Sequence, residues 1–451
     1  MKSSLLSHLA LPVLIISTGF AAPTQSWPGF LGAGHTPLAA GDLPLSWSPT
    51  ENFGWHAALP GFGQSSPIIW GDTVYLTSVD GPMKEKLIVT ALALADGGTR
   101  WSKTFDNSAP EESGHFISRA APTPVVGSRG VTAFFEGGDV VSLTHAGEKR
   151  WQRSLSRDYG KFDNKYGLGS SPVLDGDRVL VLIDHVGPSY VVGLDEATGR
   201  VLWKTDRGTG RGSWTSPLLL STPRGRQLVC SSAGSIDGYD PATGRQLWTF
   251  TDVGGNRLCS PTPAGDAAFL IGSQISREFP DTDAVKRSNF LMRLVPDGDG
   301  LKPEVVWRTL EASPAMASPV AFGGSAYWIN RVGALFCFDV ATGATHYTER
   351  LKQAPNATPL AVGDRLYIVG KDGITNVIAL GPKFEVLAKN HLWANDEPKP
   401  DQGPFRKETD TKRKAASSMR AGAEIFGFAV VPHHLVVRTG SHAYCVRATR
   451  R

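Results

Sequence analysis

Cysteine is scarce. The 451 residues hold only four, Cys230, Cys259, Cys337 and Cys445, and none stands in a CxxC or CxxCH pattern. Those spacings exclude a zinc knuckle and an attached haem. Cys337 and Cys445 follow aromatic residues in Leu335-Phe336-Cys337-Phe338 and Ala443-Tyr444-Cys445-Val446, both strand-like, where a cysteine acts as a small buried hydrophobe. They are expected to be free thiols; the state of Cys230 and Cys259 is left open. Histidines are equally uninformative. His115, His185, His433, His434 and His442 share no metal-ligand spacing, and neighbours such as His433 and His434 on a strand point to opposite faces. No metal site is expected. Gly-x-Ser-x-Gly is missing, and Gly61-Phe62-Gly63 precedes a strand instead of opening a helix, so no phosphate loop is read there. Net charge is only +4, which requires neither nucleic acid nor an anionic membrane; Lys412-Arg413-Lys414 reads as a solvated loop.

Long apolar runs are also absent beyond the first residues. Lys2, the stretch from Leu9 to Ile16 and Gly19-Phe20-Ala21 read as an export signal cleaved after Ala21 or Ala22. The apolar stretch is too short to span a bilayer comfortably, and no cysteine follows it to carry a lipid. The expectation is a chain exported to the periplasm or beyond, without a membrane anchor and monomeric.

What the chain does have is glycine and proline, 50 and 31 of them, at regular intervals. One unit recurs: a small residue and proline, a strand, a Gly-Asp turn, two further strands, an Asp-x-x-Thr-Gly turn and a strand with tryptophan. The clearest copy opens at Ser171-Pro172, turns at Asp175-Gly176-Asp177 and closes with Asp195-Glu196-Ala197-Thr198-Gly199-Arg200-Val201-Leu202-Trp203. Apolar runs bounded by positive-φ and Asx-turn residues are strand grammar. The opening recurs at Ser66-Pro67, Thr123-Pro124, Ser216-Pro217, Ser260-Pro261, Ser318-Pro319 and Thr358-Pro359, with a degenerate eighth copy near Gly427-Phe428-Ala429. The closing slot holds Trp101, Trp151, Trp203, Trp248 and Trp307, then Tyr347 and Leu387, at intervals of 40 to 59 residues. That is the size of a four-stranded blade. The eighth copy stops after its third strand at Tyr444-Cys445-Val446, while an orphan closing strand with Trp55 stands near the N-terminus. Joining them predicts an all-β, eight-bladed β-propeller of four-stranded antiparallel blades, closed by that N-terminal strand, which removes an aggregation-prone edge. Residues 1–22 are assigned to the export signal and 23–451 to one propeller domain. Residues 274–303 and 389–420 exceed the repeat and read as exposed loop insertions.

The Ala-Thr-Gly-x-x-x-Trp turn, in Ala197 to Trp203 and again in Ala242 to Trp248, resembles the tryptophan-docking repeat of pyrroloquinoline-quinone (PQQ) propellers, the quinoprotein alcohol dehydrogenase-like fold. Trp27-Pro28-Gly29-Phe30-Leu31-Gly32 is similar to the opening of exported bacterial PQQ-like and BamB-like propellers, with Leu31 where that group usually has arginine. The resemblance implies that Trp55, Trp101, Trp151, Trp203, Trp248 and Trp307 are structural, docking one blade on the next. It names the fold more firmly than the function.

Three functions follow from that resemblance. A PQQ-dependent dehydrogenase would need calcium, a catalytic aspartate and adjacent cysteines; the cysteines are missing, and Asp297-Gly298-Asp299 stands on an apparent insertion. No cofactor and no catalytic residue are therefore assigned. The BamB-like reading is a protein-interaction scaffold, here without that family's lipid anchor, and it is the preferred expectation. The alternative is a small-molecule or glycan site at the axial mouth, lined by residues preceding each opening strand. Gln64, Arg119, Trp214, Arg257 and Asn356 would form a cationic, hydrogen-bonding ring with one aromatic face.

Overall fold

The computed structural model describes residues 25–33, 39, 42–113, 117–274, 282–314, 316–394 and 423–448. The export signal, His115 and the basic run 412–414 lie outside them.

Eight antiparallel sheets form the propeller. Blade three shows why these residues make a blade. Val173–Asp175 pairs with Arg178–Ile183 across the turn at Gly176, and Ser189–Asp195 and Val201–Gly208 follow in order. The two middle strands are apolar at nearly every position and buried on both faces, because a blade packs on each side. The outer strand alternates, its exposed residues reaching solvent. The core accordingly lies between blades: one cluster joins Tyr75 and Val89 of blade one to Val131 and Val141 of blade two. The ring closes as the two chain ends require. Phe53–Ala58 pairs with His442–Arg447, placing Trp55 opposite Cys445, and completes blade eight.

The fourth strand carries a bulge just before the docking slot, which re-aims the ring toward the next blade. Trp55, Trp101, Trp151, Trp203 and Trp307 each donate their indole N–H to a carbonyl in the following blade's third turn: Leu94, His145, Glu196, Pro241 and Val340 respectively. The turn glycine lets the ring lie flat against backbone. A Cβ on Gly199, at φ +72°, would stand 2.5 Å from the Trp151 ring.

Three expectations need correction. In blade seven the docking slot, opposite Val377, is Ala388, and Leu387 is the bulge residue before it. Residues 289–303 are not an exposed loop: Asn289–Asp297 and Gly300–Thr309 are blade five's third and fourth strands, and Asp297-Gly298-Asp299-Gly300 is the hairpin between them. That tight hairpin replaces the Thr-Gly turn. Trp248 therefore donates to Gln227 of its own blade instead of to a neighbouring turn. The second long segment begins later than expected, since Val386–His391 is strand; its residues 395–422 lie outside the described region.

The N-terminal segment enters the axis. Ser26–Trp27 adds a fifth strand to the innermost edge of blade one, opposite Trp70 and Ile69. Pro28 accepts a hydrogen bond from Val126 of blade two, and Trp27 lies 6.2 Å from Phe428 of blade eight. Phe30–Ala33 then turns sharply, with Leu31 at φ 53° and Gly32 at φ 66°. By Asp42, whose carbonyl accepts from His433 in the first turn of blade eight, the chain is back at the end where it entered. Trp27-Pro28-Gly29-Phe30-Leu31-Gly32 thus fills the axis from one end.

Candidate functional site

The opening element of the repeat builds an inner ring. The hydroxyl before each proline accepts the backbone N–H of the preceding blade's equivalent residue. Ser66 donates to Thr123, Thr123 to Ser171, Ser171 to Ser216, Ser216 to Ser260, Ser260 to Ser318 and Ser318 to Thr358, all at 2.9–3.0 Å. Serine and threonine recur at this position because they combine a small size with an acceptor oxygen. The eighth position is Gly427, where a Cβ would meet the Ser66 hydroxyl at 2.1 Å. There the ring has room for the hydroxyl only because 427 has no side chain.

These hydroxyls girdle an axial cavity of about 620 Å³, within the range of ligand pockets. It opens where the loops between blades converge. Phe30 and Leu31, from the segment that enters the axis at the opposite end, also line it.

The expected mouth residues divide. Gln64, Trp214, Arg257 and Asn356 line the cavity. The Gln64 side chain accepts from the Arg119 amide at 2.9 Å, and Trp214 is held by its N–H bond to the Gly167 carbonyl at 2.7 Å. Tyr166 packs beside it, ring centroids 5.8 Å apart. Arg119 does not line the cavity, which corrects the expectation of a cationic ring. It is buried, its guanidinium over the Phe62 ring. Extended backbone alternates faces, so the residue two before the ring hydroxyl faces the axis. That position holds Gln64, Gly169, Trp214, Leu258, Met316 and Asn356; in blade two it is Ala121, not Arg119. The sequence reading missed the floor residues Phe30 and Leu31, the Phe426 and Phe428 wall, and the Lys371–Glu424 pair at 3.8 Å. The degenerate eighth opening was the signal for Phe426 and Phe428; the others carry no repeat signature.

Buried ion pairs support the mouth. Lys84 of blade one reaches Glu136 of blade two at 3.4 Å and donates to the carbonyl of Ser118, a wall residue. Burial pushes the Glu136 carboxyl above the usual range, against the pull of Lys84. Between blades three and four, Arg207 bridges Asp184 and Asp237 at 3.0 and 3.2 Å.

The sequence model of the outer membrane protein assembly factor BamB family matches residues 46–183, 187–277 and 299–425. The chain belongs to this family. A curated relative, the BamB of Xanthomonas campestris pv. campestris, is 26% identical over 165 residues; the match spans 35% of this chain and only 38% of that relative. The crystal structure of BamB from Moraxella catarrhalis superposes with TM-score 0.56 at 15% identity, covering 87% of this chain and 98% of that one. The quinohemoprotein alcohol dehydrogenase of Comamonas testosteroni superposes with TM-score 0.57 at 12% identity, covering 96% and 82%. Likeness at such identity shows the shared propeller fold.

The dehydrogenase neighbour raises the question of PQQ and its divalent metal. A hard cation takes six to eight oxygen ligands, largely carboxylate and carbonyl. The one carboxylate on the described wall is Glu424, already facing Lys371, and no group of three metal-ligating side chains occurs among the described residues. The donor set of this BamB-family cavity does not fit that pair.

Proposed function

We propose that this BamB-family propeller is an exported, non-catalytic scaffold that holds a protein partner against the face where the axial cavity opens. The observation that carries the reading is the distribution of exposed apolar side chains. Among the described residues, the four most exposed large hydrophobics are Leu310 at 66%, Val186 at 54%, Met316 at 53% and Val332 at 51%. All four stand on loops at one end of the blades. Leu310 and Met316 lie between blades five and six, and Val186 and Val332 follow the second strands of blades three and six. The less exposed Leu202, Val306 and Val386 lie on outer strands. Exposed apolar groups that share one end of the blades support reading that end as an interaction surface. Outer membrane protein assembly, named in the family's description, is the process in which such a partner would be found.

The test is glutamate substitution. Leu310→Glu and Val332→Glu should each weaken co-purification of the native-host partner at least tenfold, while Leu202→Glu on an outer strand leaves it intact. Equal loss from all three, or loss only from Leu202→Glu, would place docking elsewhere.

A further inference from the structure

We propose that the axial cavity is a socket for an apolar side chain, with its flanking backbone carbonyls, presented by a loop or chain end of the docked protein. This rests on the scaffold reading and specifies what the docking face recognises.

The cavity's shape sets the first constraint. With Phe30 and Leu31 of the axial segment among its lining residues, an occupant enters from the mouth and meets that segment. The floor and adjoining wall, Phe30, Leu31, Leu258, Phe426 and Phe428, call for an apolar tip.

Hydrogen-bond bookkeeping sets the second. A hydroxyl has one proton to give and two lone pairs. Thr123, Ser171, Ser216, Ser260, Ser318 and Thr358 each use a lone pair on a neighbouring backbone N–H. Each hydroxyl keeps its proton and one lone pair for an occupant, so the girdle can donate to an occupant's carbonyls or accept from its N–H groups. Peptide carbonyls are acceptors without charge. Charge sets the third constraint. The described wall carries Arg257, and Lys371 set against Glu424, too little to neutralise a polyanion. Carbonyls beside an apolar side chain meet all three.

Continuity with the docking face adds a fourth point. Met316 both lines the cavity and is half exposed, and Leu310 lies on the same loop. A partner seated on this apolar collar has the socket directly beneath it.

The probe is a blocked heptapeptide of glycine and serine with a central phenylalanine, followed by saturation-transfer NMR on the full mature chain. The comparators are the same peptide with a central aspartate, and free phenylacetate. The phenylalanine peptide should bind and the aspartate peptide should bind at least tenfold more weakly. Met316→Glu, at an exposed position, and Leu31→Arg, which puts a charge in the floor, should each weaken binding at least fivefold. Phenylacetate binding with the phenylalanine peptide silent would overturn the proposal in favour of a small-molecule site. Silence of all three probes would also overturn it, as would peptide binding indifferent to both substitutions. Those failures would leave the scaffold reading standing, because that is decided by Leu310→Glu and Val332→Glu and the partner.

Discussion

Trp55 and Cys445 lie directly opposite each other in the strand pair that closes the ring. Tyr347 and Cys337 occupy the same slot in blade six. The two cysteines are thus repeat-equivalent, with all of blade seven between them, beyond the roughly 7 Å Cα separation a disulfide tolerates. All four cysteines are free and buried, and burial pushes the thiols of Cys230, Cys259 and Cys445 up to about 12 from an ordinary 9.0.

Native protein should therefore not react with a thiol-specific dye between pH 7 and 10, and should expose four thiols in denaturant. The linked stability has a definite sign. The protonated thiol is favoured by folding, so its contribution is complete below pH 9 and fades as pH rises toward 12. Rapid native labelling, or a Cys337–Cys445 peptide in a non-reduced digest, would contradict the blade assignment.

Tryptophan docking is tested by two glycines. Gly176→Ala faces open space at φ +59° and should cost about 1–2 kcal/mol, the left-handed backbone penalty alone. Gly199→Ala has the same penalty and also meets the Trp151 ring, adding about 1–3 kcal/mol. Equal denaturation midpoints for the two variants would show that the ring does not rest on that turn.

The axial segment lies outside the four-strand repeat, and its Trp27, on the strand added to blade one, is only 2% exposed. Trp27→Ala should destabilise the whole ring by about 3–5 kcal/mol in urea titrations. An unchanged midpoint would mean the segment leaves the axis in solution.

Calorimetry with PQQ and calcium, followed by dye reduction with alcohols and aldoses, should show neither tight binding nor turnover. Submicromolar affinity with substrate-dependent dye reduction would reveal an active site in this cavity.

The ring itself was legible because the Ser-Pro or Thr-Pro opening recurs in blades one to seven, and the deficits at Trp55 and Val446 fit each other. The site was only partly legible. Trp214 and Asn356 stand a fixed distance before a Ser-Pro or Thr-Pro signature, so their direction could be counted. Arg119 misled because Pro122-Thr123-Pro124 offers two prolines, and the ring hydroxyl is Thr123. Phe30 and Leu31 were unreadable as a cavity floor, since nothing local says that a segment ahead of the first blade will turn into the axis. The extra length at 289–303 looked like a loop because its hairpin, Asp297 to Gly300, departs from the Thr-Gly turn that marks blades three, four and six.

The most direct test of the scaffold reading is a photo-crosslinking amino acid placed singly at Val186, Leu310 and Val332 on the cavity face, and at Leu202 and Val306 on outer strands, with irradiation in the native host. One discrete protein adduct shared by the three face positions is expected, with none from the outer strands. Adducts from Leu202 or Val306 with silence at the face positions would contradict it.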